Sequence, residues 1–283
     1  LAKVLSGTAV AAKIREEVRA AVEACRTRGI NPTLAIIRAG ERPDDLAYEK
    51  RVKSNCEKVD IAVEVFEASQ SVSQQEFEKL VKNVSNNPDI HGILVFRPLP
   101  EQLDEEKIAG LIPIEKDVDC MNPESLAGVF LGSENTFSPC TPEAVMEILD
   151  FYGVKIEGAD AVIVNRSMVL GKPLSQLLLK KNATVTLCHS KTRDIKEHTQ
   201  KADIVVTGVG RAGYFGPDFF SQGNTVIDVG INFREGKMCG DADYEKIETL
   251  VEAITPVPGG VGAVTSMILL KHTAQAAQRS KNG

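Results

Sequence analysis

The sequence predicts an α/β protein of two domains, the second a Rossmann-like parallel-sheet nucleotide-binding domain. Three observations point there. Strand-sized apolar runs such as "LAIIRA", "ADAVIV" and "ADIVVTGV" are unbroken rather than alternating, as in strands covered on both faces. They are separated by segments of helical period, the order expected of parallel strands with crossover helices. The later strands run into glycine-bearing turns, which an open parallel sheet gathers on one edge.

In chain order, "SGTAVAAKIREEVRAAVEACRTRG" carries Val10, Ile14, Val18 and Val22 at i, i+4 spacing and predicts a long helix closed at Gly29. "PTLAIIRAG" reads as a buried strand ending at Gly40. "PDDLAYEKRVKSNCEKV" is helical, with Asp44 and Asp45 complementing its N-terminus. Strand "AVEVFEA", helix "SQQEFEKLVKNVSN" and strand "HGILVFRPLP" follow, and Ser73 with Glu76 fits a capping box. The turn-rich "LGSENTFSPCTP" sets the domain boundary. The expected division is 1–138, an N-terminal α/β domain; 139–257, the nucleotide-binding domain; and 258–283, a loop and a C-terminal helix that packs back on the first domain.

Composition excludes several classes. A net charge of -6 without a dense basic block argues against a nucleic-acid partner. No apolar run approaches membrane-span length, and no signal-peptide pattern is seen. The six cysteines lack CxxC spacing and suit a reducing cytoplasm rather than a disulfide framework. The four histidines form no H-E-x-x-H cluster, so no metal is expected.

The nucleotide site is expected at "VIVNRSMVLGKP", where Asn165, Arg166, Ser167 and Gly171 stand in place of a glycine-rich fingerprint. Asn165 is read as tolerating a left-handed backbone in place of glycine. The next strand ends in "LCHSKTRD" rather than in an acidic residue. His189, Ser190, Lys191 and Arg193, with Arg166, make a polar-basic setting that favours NADP, with NAD as the alternative. For Lys191 and Arg193 an ordinary solvated role weighs equally. Gly208 and Gly210, then Gly230 and Ile231, mark the ends of the following strands.

These pieces together resemble the methylenetetrahydrofolate dehydrogenase/cyclohydrolase family. "RPDDLAY", "EKDVDCMNP", "FSPCTPEAV", "NRSMVLGKP", "TVTLCHSKTRD", "VIDVGIN" and "ITPVPGGVGAVTS" occur in family order over nearly the whole chain. The resemblance implies two α/β domains flanking a cleft that binds folate, a homodimer, and NADP-dependent oxidation of 5,10-methylenetetrahydrofolate. It implies that residues 1–138 are the catalytic, folate-binding domain, that Asp119 holds the pterin and that Tyr48 stacks on folate. Pro258, Gly259, Gly260 and Thr265 fall in the loop near pterin and nicotinamide.

The departures are informative. Where the family has lysine four residues after its tyrosine, this chain has Val52, and where it has glutamine before "PLP", it has Phe96. The family's lysine and glutamine act together in hydrolysing the methenyl product. Arg51 is a poor base, Lys53 is turned about 140° from Tyr48 on a helix, and strand alternation sends Arg97 to the face opposite Phe96. The expectation is therefore a dehydrogenase without effective cyclohydrolase activity, with a separate cyclohydrolase acting on its product. The rivals are a bifunctional enzyme with relocated acid-base groups and a non-catalytic folate- or nucleotide-binding protein. Asn165, Cys120 and Ala263 are lesser departures, the first two replacing glycines and the third a proline.

Overall fold

A computed structural model describes residues 1–280. In chain order its first elements are β1 (Lys3–Val4), α1 (Gly7–Arg26), β2 (Thr33–Ala39), α2 (Pro43–Glu57), β3 (Ala62–Ala68), α3 (Gln74–Asn86), β4 (Gly92–Val95), α4 (Glu105–Ala109), α5 (Pro123–Leu131) and α6 (Cys140–Phe151). There follow β5 (Asp160–Val164), α7 (Gly171–Lys180), β6 (Thr184–Cys188), α8 (Ile195–Lys201), β7 (Ile204–Thr207), β8 (Thr225–Asp228), β9 (Asn232–Arg234), β10 (Lys237–Cys239), α9 (Tyr244–Ile247), β11 (Ala253–Ile254) and α10 (Val261–Arg279). No helix among the described residues is long and apolar enough to cross a membrane.

The chain divides into two compact units. Unit 1 is Leu1–Ala12 with Thr141–Thr265, and unit 2 is Lys13–Cys140 with the residues from Ser266 onward. The expected segments 1–138, 139–257 and 258–283 differ from these units at the first residues, at 139–140, which fall in unit 2, and in the last segment. The first residues join unit 1 because Lys3 and Val4 pair in parallel with Ala253 and Ile254. Residues 258–265 also belong to unit 1, and only the remainder of the last segment belongs to unit 2. Residues 281–283 of that segment lie outside the described residues.

Unit 2 holds a three-stranded parallel sheet in the order β3-β2-β4. Every residue of the central strand β2 is buried, which is why its sequence shows no polar alternation, the one charge, Arg38, being paired with Glu49 and Glu67. Phe77, Val81 and Val84 of α3 pack on Ile37, Ile93 and Val95, and the Ser73–Glu76 capping box is formed in full. In α2, Pro43 opens the helix and Asp44 and Asp45 lie in its first turn, while Asp45, Glu49, Val52 and Cys56 form its buried face. Part of α10 covers α1: Ala277 clusters with Cys25 and Ile30, and Arg28 donates to the Gln278 carbonyl.

Unit 1 holds a six-stranded sheet in the order β1-β11-β8-β7-β5-β6, parallel throughout. The chain leaves β5 for the edge strand β6, then crosses back to β7 on the other side of β5. The connections therefore change direction between β5 and β7, where ligands of open α/β sheets bind. A β9–β10 hairpin, missing from the sequence expectation, is turned by Glu235 and Gly236, both at positive φ.

Candidate functional site

In unit 2, helix α2 and the segment after β4 bring three of the singled-out residues together, Tyr48, Arg51 and Phe96. The rings of Tyr48 and Phe96 lie with centroids 5.3 Å apart, and the Arg51 guanidinium is 5.2 Å from the Tyr48 ring centre. Val52 is 2% and Phe96 5% exposed, so both are core side chains. Lys53 is held elsewhere: its ammonium donates to Glu49 at 2.5 Å, and Glu49 also accepts from buried Arg38 at 2.9 Å. Burial, reinforced by the negative charge of Asp119, pushes the Tyr48 phenol well above its ordinary range, so it stays protonated at working pH.

The fourth residue comes from "KDVD". Lys116 donates to the Ser85 and Asn87 carbonyls at 2.9 and 2.6 Å. Asp117, fully buried, accepts from the Met121 and Asn122 amides at 2.8 Å each. The Val118 carbonyl meets His272 Nδ1 at 2.8 Å and the Cys140 thiol at 3.5 Å. With those three residues spent on holding the loop, Asp119 is the one whose carboxylate remains partly open, its side chain 31% exposed. Burial among its neighbours raises the Asp119 carboxyl above the usual carboxylate range, and the Arg97 charge opposes the rise. Cys120, where the family resemblance places glycine, has φ 56°, a backbone region that glycine enters without steric penalty.

Arg97 lies between two carboxylates. Strand β4 ends at Val95, and Phe96 and Arg97 follow it, the first buried and the second partly exposed. Arg97 Nη2 is 3.8 Å from Asp119, and Nη1 is 3.5 Å from Glu105 on α4.

In unit 1 the expected cofactor residues gather at the carboxyl edge of the sheet. Asn165 Nδ2 donates to the Gly208 carbonyl at 2.6 Å, across the change of direction between β5 and β7. Asn165 Oδ1 accepts from the Ser167 amide and hydroxyl, both at 2.8 Å, and from the Gly171 amide at 3.0 Å. Asn165 is not among the residues with positive φ. The expectation of a left-handed backbone there is thus corrected: the residue works through its amide, which ties the loop together and caps α7. Gly171 is required by packing, since a Cβ would overlap the Asn165 carbonyl, and at Gly208 it would meet Leu170. Gly210, at φ 68°, faces open space.

Val164 pairs with Cys188, so Arg166 and Ser190 each lie two residues past adjacent strand ends. His189 shapes the second loop, its Nδ1 accepting from the Lys191 amide at 3.1 Å. The side chains of Arg166, Ser190 and Arg193 are exposed and have no partner among the described residues. Free guanidinium and hydroxyl groups beside the change of direction fit the 2′-phosphate of NADP. The α7 amides fit a phosphate less well, because Asn165 and Ser167 already cap them.

Sequence reasoning missed Asp241. Fully buried, it accepts from the amides of Val209, Gly210 (3.1 Å) and Arg211 (2.7 Å) and from Asn232 Nδ2 (2.9 Å). It thereby binds the loop after β7 to the one carrying Gly230 and Ile231. A Cβ on Gly230 would strike this carboxylate. Asp241 lies in a stretch without period or motif, so nothing in the sequence marked it. Gly259, at φ 93°, and Gly260, whose Cβ would overlap the Pro256 carbonyl, form the turn before α10. Pro258 is exposed there, and Thr265 Oγ1 donates to the Val261 carbonyl at 3.1 Å.

Residues 5–119 match the family model for the tetrahydrofolate dehydrogenase/cyclohydrolase catalytic domain, and residues 139–281 match that for its NAD(P)-binding domain. The chain is 49% identical over 281 residues to a Clostridium botulinum protein named bifunctional protein FolD, covering 99% of this chain and 100% of the relative. Among solved structures, the bifunctional FolD enzyme of Campylobacter jejuni superposes with a TM-score of 0.95 at 37% identity, over 98% of this chain and 99% of that one. The Trypanosoma brucei methylenetetrahydrofolate dehydrogenase-cyclohydrolase, complexed with NADP cofactor and an inhibitor, gives 0.91 at 33% identity, over 99% and 98%.

Proposed function

The chain belongs to the tetrahydrofolate dehydrogenase/cyclohydrolase family, and from that premise we propose that it is an NADP-dependent 5,10-methylenetetrahydrofolate dehydrogenase without effective cyclohydrolase activity. The observation that carries the second half is the pair Val52 and Phe96: both are buried and apolar, and the Phe96 ring lies against Tyr48.

Oxidation asks little acid-base chemistry of the protein. As hydride departs from the methylene carbon, lone pairs on the flanking folate nitrogens stabilise the cation. The protein's part is to orient the ring system and keep water out. In this reading Tyr48 presents a neutral ring for stacking, and Asp119 accepts hydrogen bonds from the pterin. Pro258, Gly259, Gly260 and Thr265 contribute the folate-facing turn. NADP, when bound, supplies the nicotinamide carbon that takes the hydride. Asn165, Ser167 and Gly171 shape its loop; Arg166, Ser190, His189 and Arg193 face its phosphate; and Gly208, Gly210, Gly230 and Ile231 line the adjoining strand ends. The NAD(P)-binding domain match and the NADP-bound structural relative are consistent with NADP as the cofactor.

Hydrolysis asks for more: water must lose a proton as it attacks, and the departing nitrogen must gain one. Val52 and Phe96 can do neither. The names of the similar proteins favour a second reading, a bifunctional enzyme with relocated groups. Against it, Lys53 is bonded to Glu49, while Arg51 and Arg97 remain charged and are poor bases. A homodimer, a cytoplasmic setting and a separate cyclohydrolase consuming the methenyl product complete the proposal. A paired assay on one preparation tests it, following dehydrogenase activity with NADP and with NAD and then methenyltetrahydrofolate hydrolysis. NADP-dependent formation of methenyl product without accelerated hydrolysis is expected.

A further inference from the structure

We propose that Arg97 is the positioning residue for Asp119: bridging Glu105 and Asp119, its guanidinium keeps that carboxylate charged and aimed so that it can accept hydrogen bonds from a pterin. This rests on the reading of Asp119 as the pterin-holding group and adds a residue to it.

The geometry gives Asp119 few other sources of support. Asp117, on the same loop, is a like charge. His272, from α10, bonds through Nδ1 to the Val118 carbonyl and favours the charged Asp119 less than Arg97 does. The Cys140 thiol, from the start of α6, is within hydrogen-bonding reach but uncharged. Tyr48, from α2, is a neutral phenol, and Phe96 is apolar. Among these groups Arg97 is the permanent cation, with Nη2 3.8 Å from the carboxylate.

Its orientation is set independently. Nη1 reaches Glu105 at 3.5 Å on α4, whose first turn is anchored by Asp104 accepting from the Lys107 amide. The Arg97 side chain is 31% exposed, so solvent screens the pair only in part. A carboxylate can accept from both the ring N–H and the amino group on the pterin's amide edge. A protonated acid offers one fewer acceptor and a competing donor. Loss of the arginine should therefore cost folate binding through protonation of Asp119, leaving the cofactor side untouched.

The sign follows from the charges. Burial already disfavours the ionised Asp119, and Arg97 offsets it. Removing Arg97 raises the pH at which Asp119 loses its charge.

The test is the pH profile of kcat/KM for methylenetetrahydrofolate, from about pH 5 to about pH 9, in the wild type, Arg97→Leu, Arg97→Gln, Arg97→Lys and Asp119→Asn. KM for NADP is measured alongside. Both neutral variants should shift the acid limb upward by about one pH unit with KM for NADP unchanged, and Arg97→Lys should restore most of the wild-type position. Arg97→Gln keeps a polar side chain at this half-exposed site, so the test survives if Arg97→Leu does not fold. An acid limb left in place in the neutral variants would overturn the inference, as would an equal loss at every pH. Wild-type folate affinity in Asp119→Asn would instead overturn the pterin-holding reading, and the role of Arg97 with it.

Discussion

The Tyr48 and Phe96 rings pack with centroids 5.3 Å apart and planes inclined by 39°. Tyr48 shares its face of α2 with Val52, one turn on, which is 2% exposed. The side chains at 52 and 96 are thus part of an apolar wall beside the tyrosine, and restoring one polar partner alone has a definite cost. Val52→Lys buries an ammonium without a partner and should lower stability by about 3 kcal/mol, read by urea unfolding, with no gain in hydrolysis. The double variant Val52→Lys with Phe96→Gln should recover part of that stability and gain measurable cyclohydrolase activity. Substantial hydrolysis from the single change would count against the paired loss.

On the proposed reading Tyr48 acts through its ring. Its hydroxyl remains protonated, so Tyr48→Phe should keep kcat/KM within about threefold, less than 1 kcal/mol. Tyr48→Ala should raise KM for the folate about tenfold, as expected for loss of about 1.4 kcal/mol of stacking and burial. Equal losses in the two variants, measured by steady-state kinetics, would assign the work to the hydroxyl.

Asp241 holds three backbone amides and the Asn232 side chain at the cofactor edge. Asp241→Ala leaves those donors unpaired, at about 1–3 kcal/mol each where they stay buried. A lower Tm and at least a tenfold higher KM for NADP are expected, with KM for folate little changed. An unaltered KM for NADP would limit Asp241 to stability.

Arg166 and Ser190 follow adjacent paired strand ends and are free to meet a 2′-phosphate. Arg166→Ala should raise KM for NADP by about tenfold or more, and Ser190→Ala by less, reflecting loss of a charge-assisted contact. KM for NAD should stay the same in both, and parallel rises for both cofactors would show that the residues do not read the phosphate.

Strands β2, β5 and β7 were legible because full burial leaves runs such as "LAIIRA" and "ADIVV" unbroken. The Ser73–Glu76 cap was legible because its partners are three residues apart. Strand β1 was not: it has two residues and pairs with Ala253 and Ile254, far along the chain. The partners of Arg97 were not legible, because Glu105 and Asp119 lie on separate later segments. The identity of Asn165 was informative for its amide, whereas its backbone needed no glycine-like freedom. Asp241 is defined by contacts to the loop after β7, 30 to 32 residues earlier, which no local pattern encodes.

The most direct measurement follows the absorbance of methenyltetrahydrofolate with purified wild-type protein, against the same buffer without protein. Because the polar pair is replaced by Val52 and Phe96, the two rates should be indistinguishable in a preparation that is active in NADP-dependent oxidation of methylenetetrahydrofolate. Hydrolysis that rises in proportion to enzyme concentration would contradict the loss of cyclohydrolase activity.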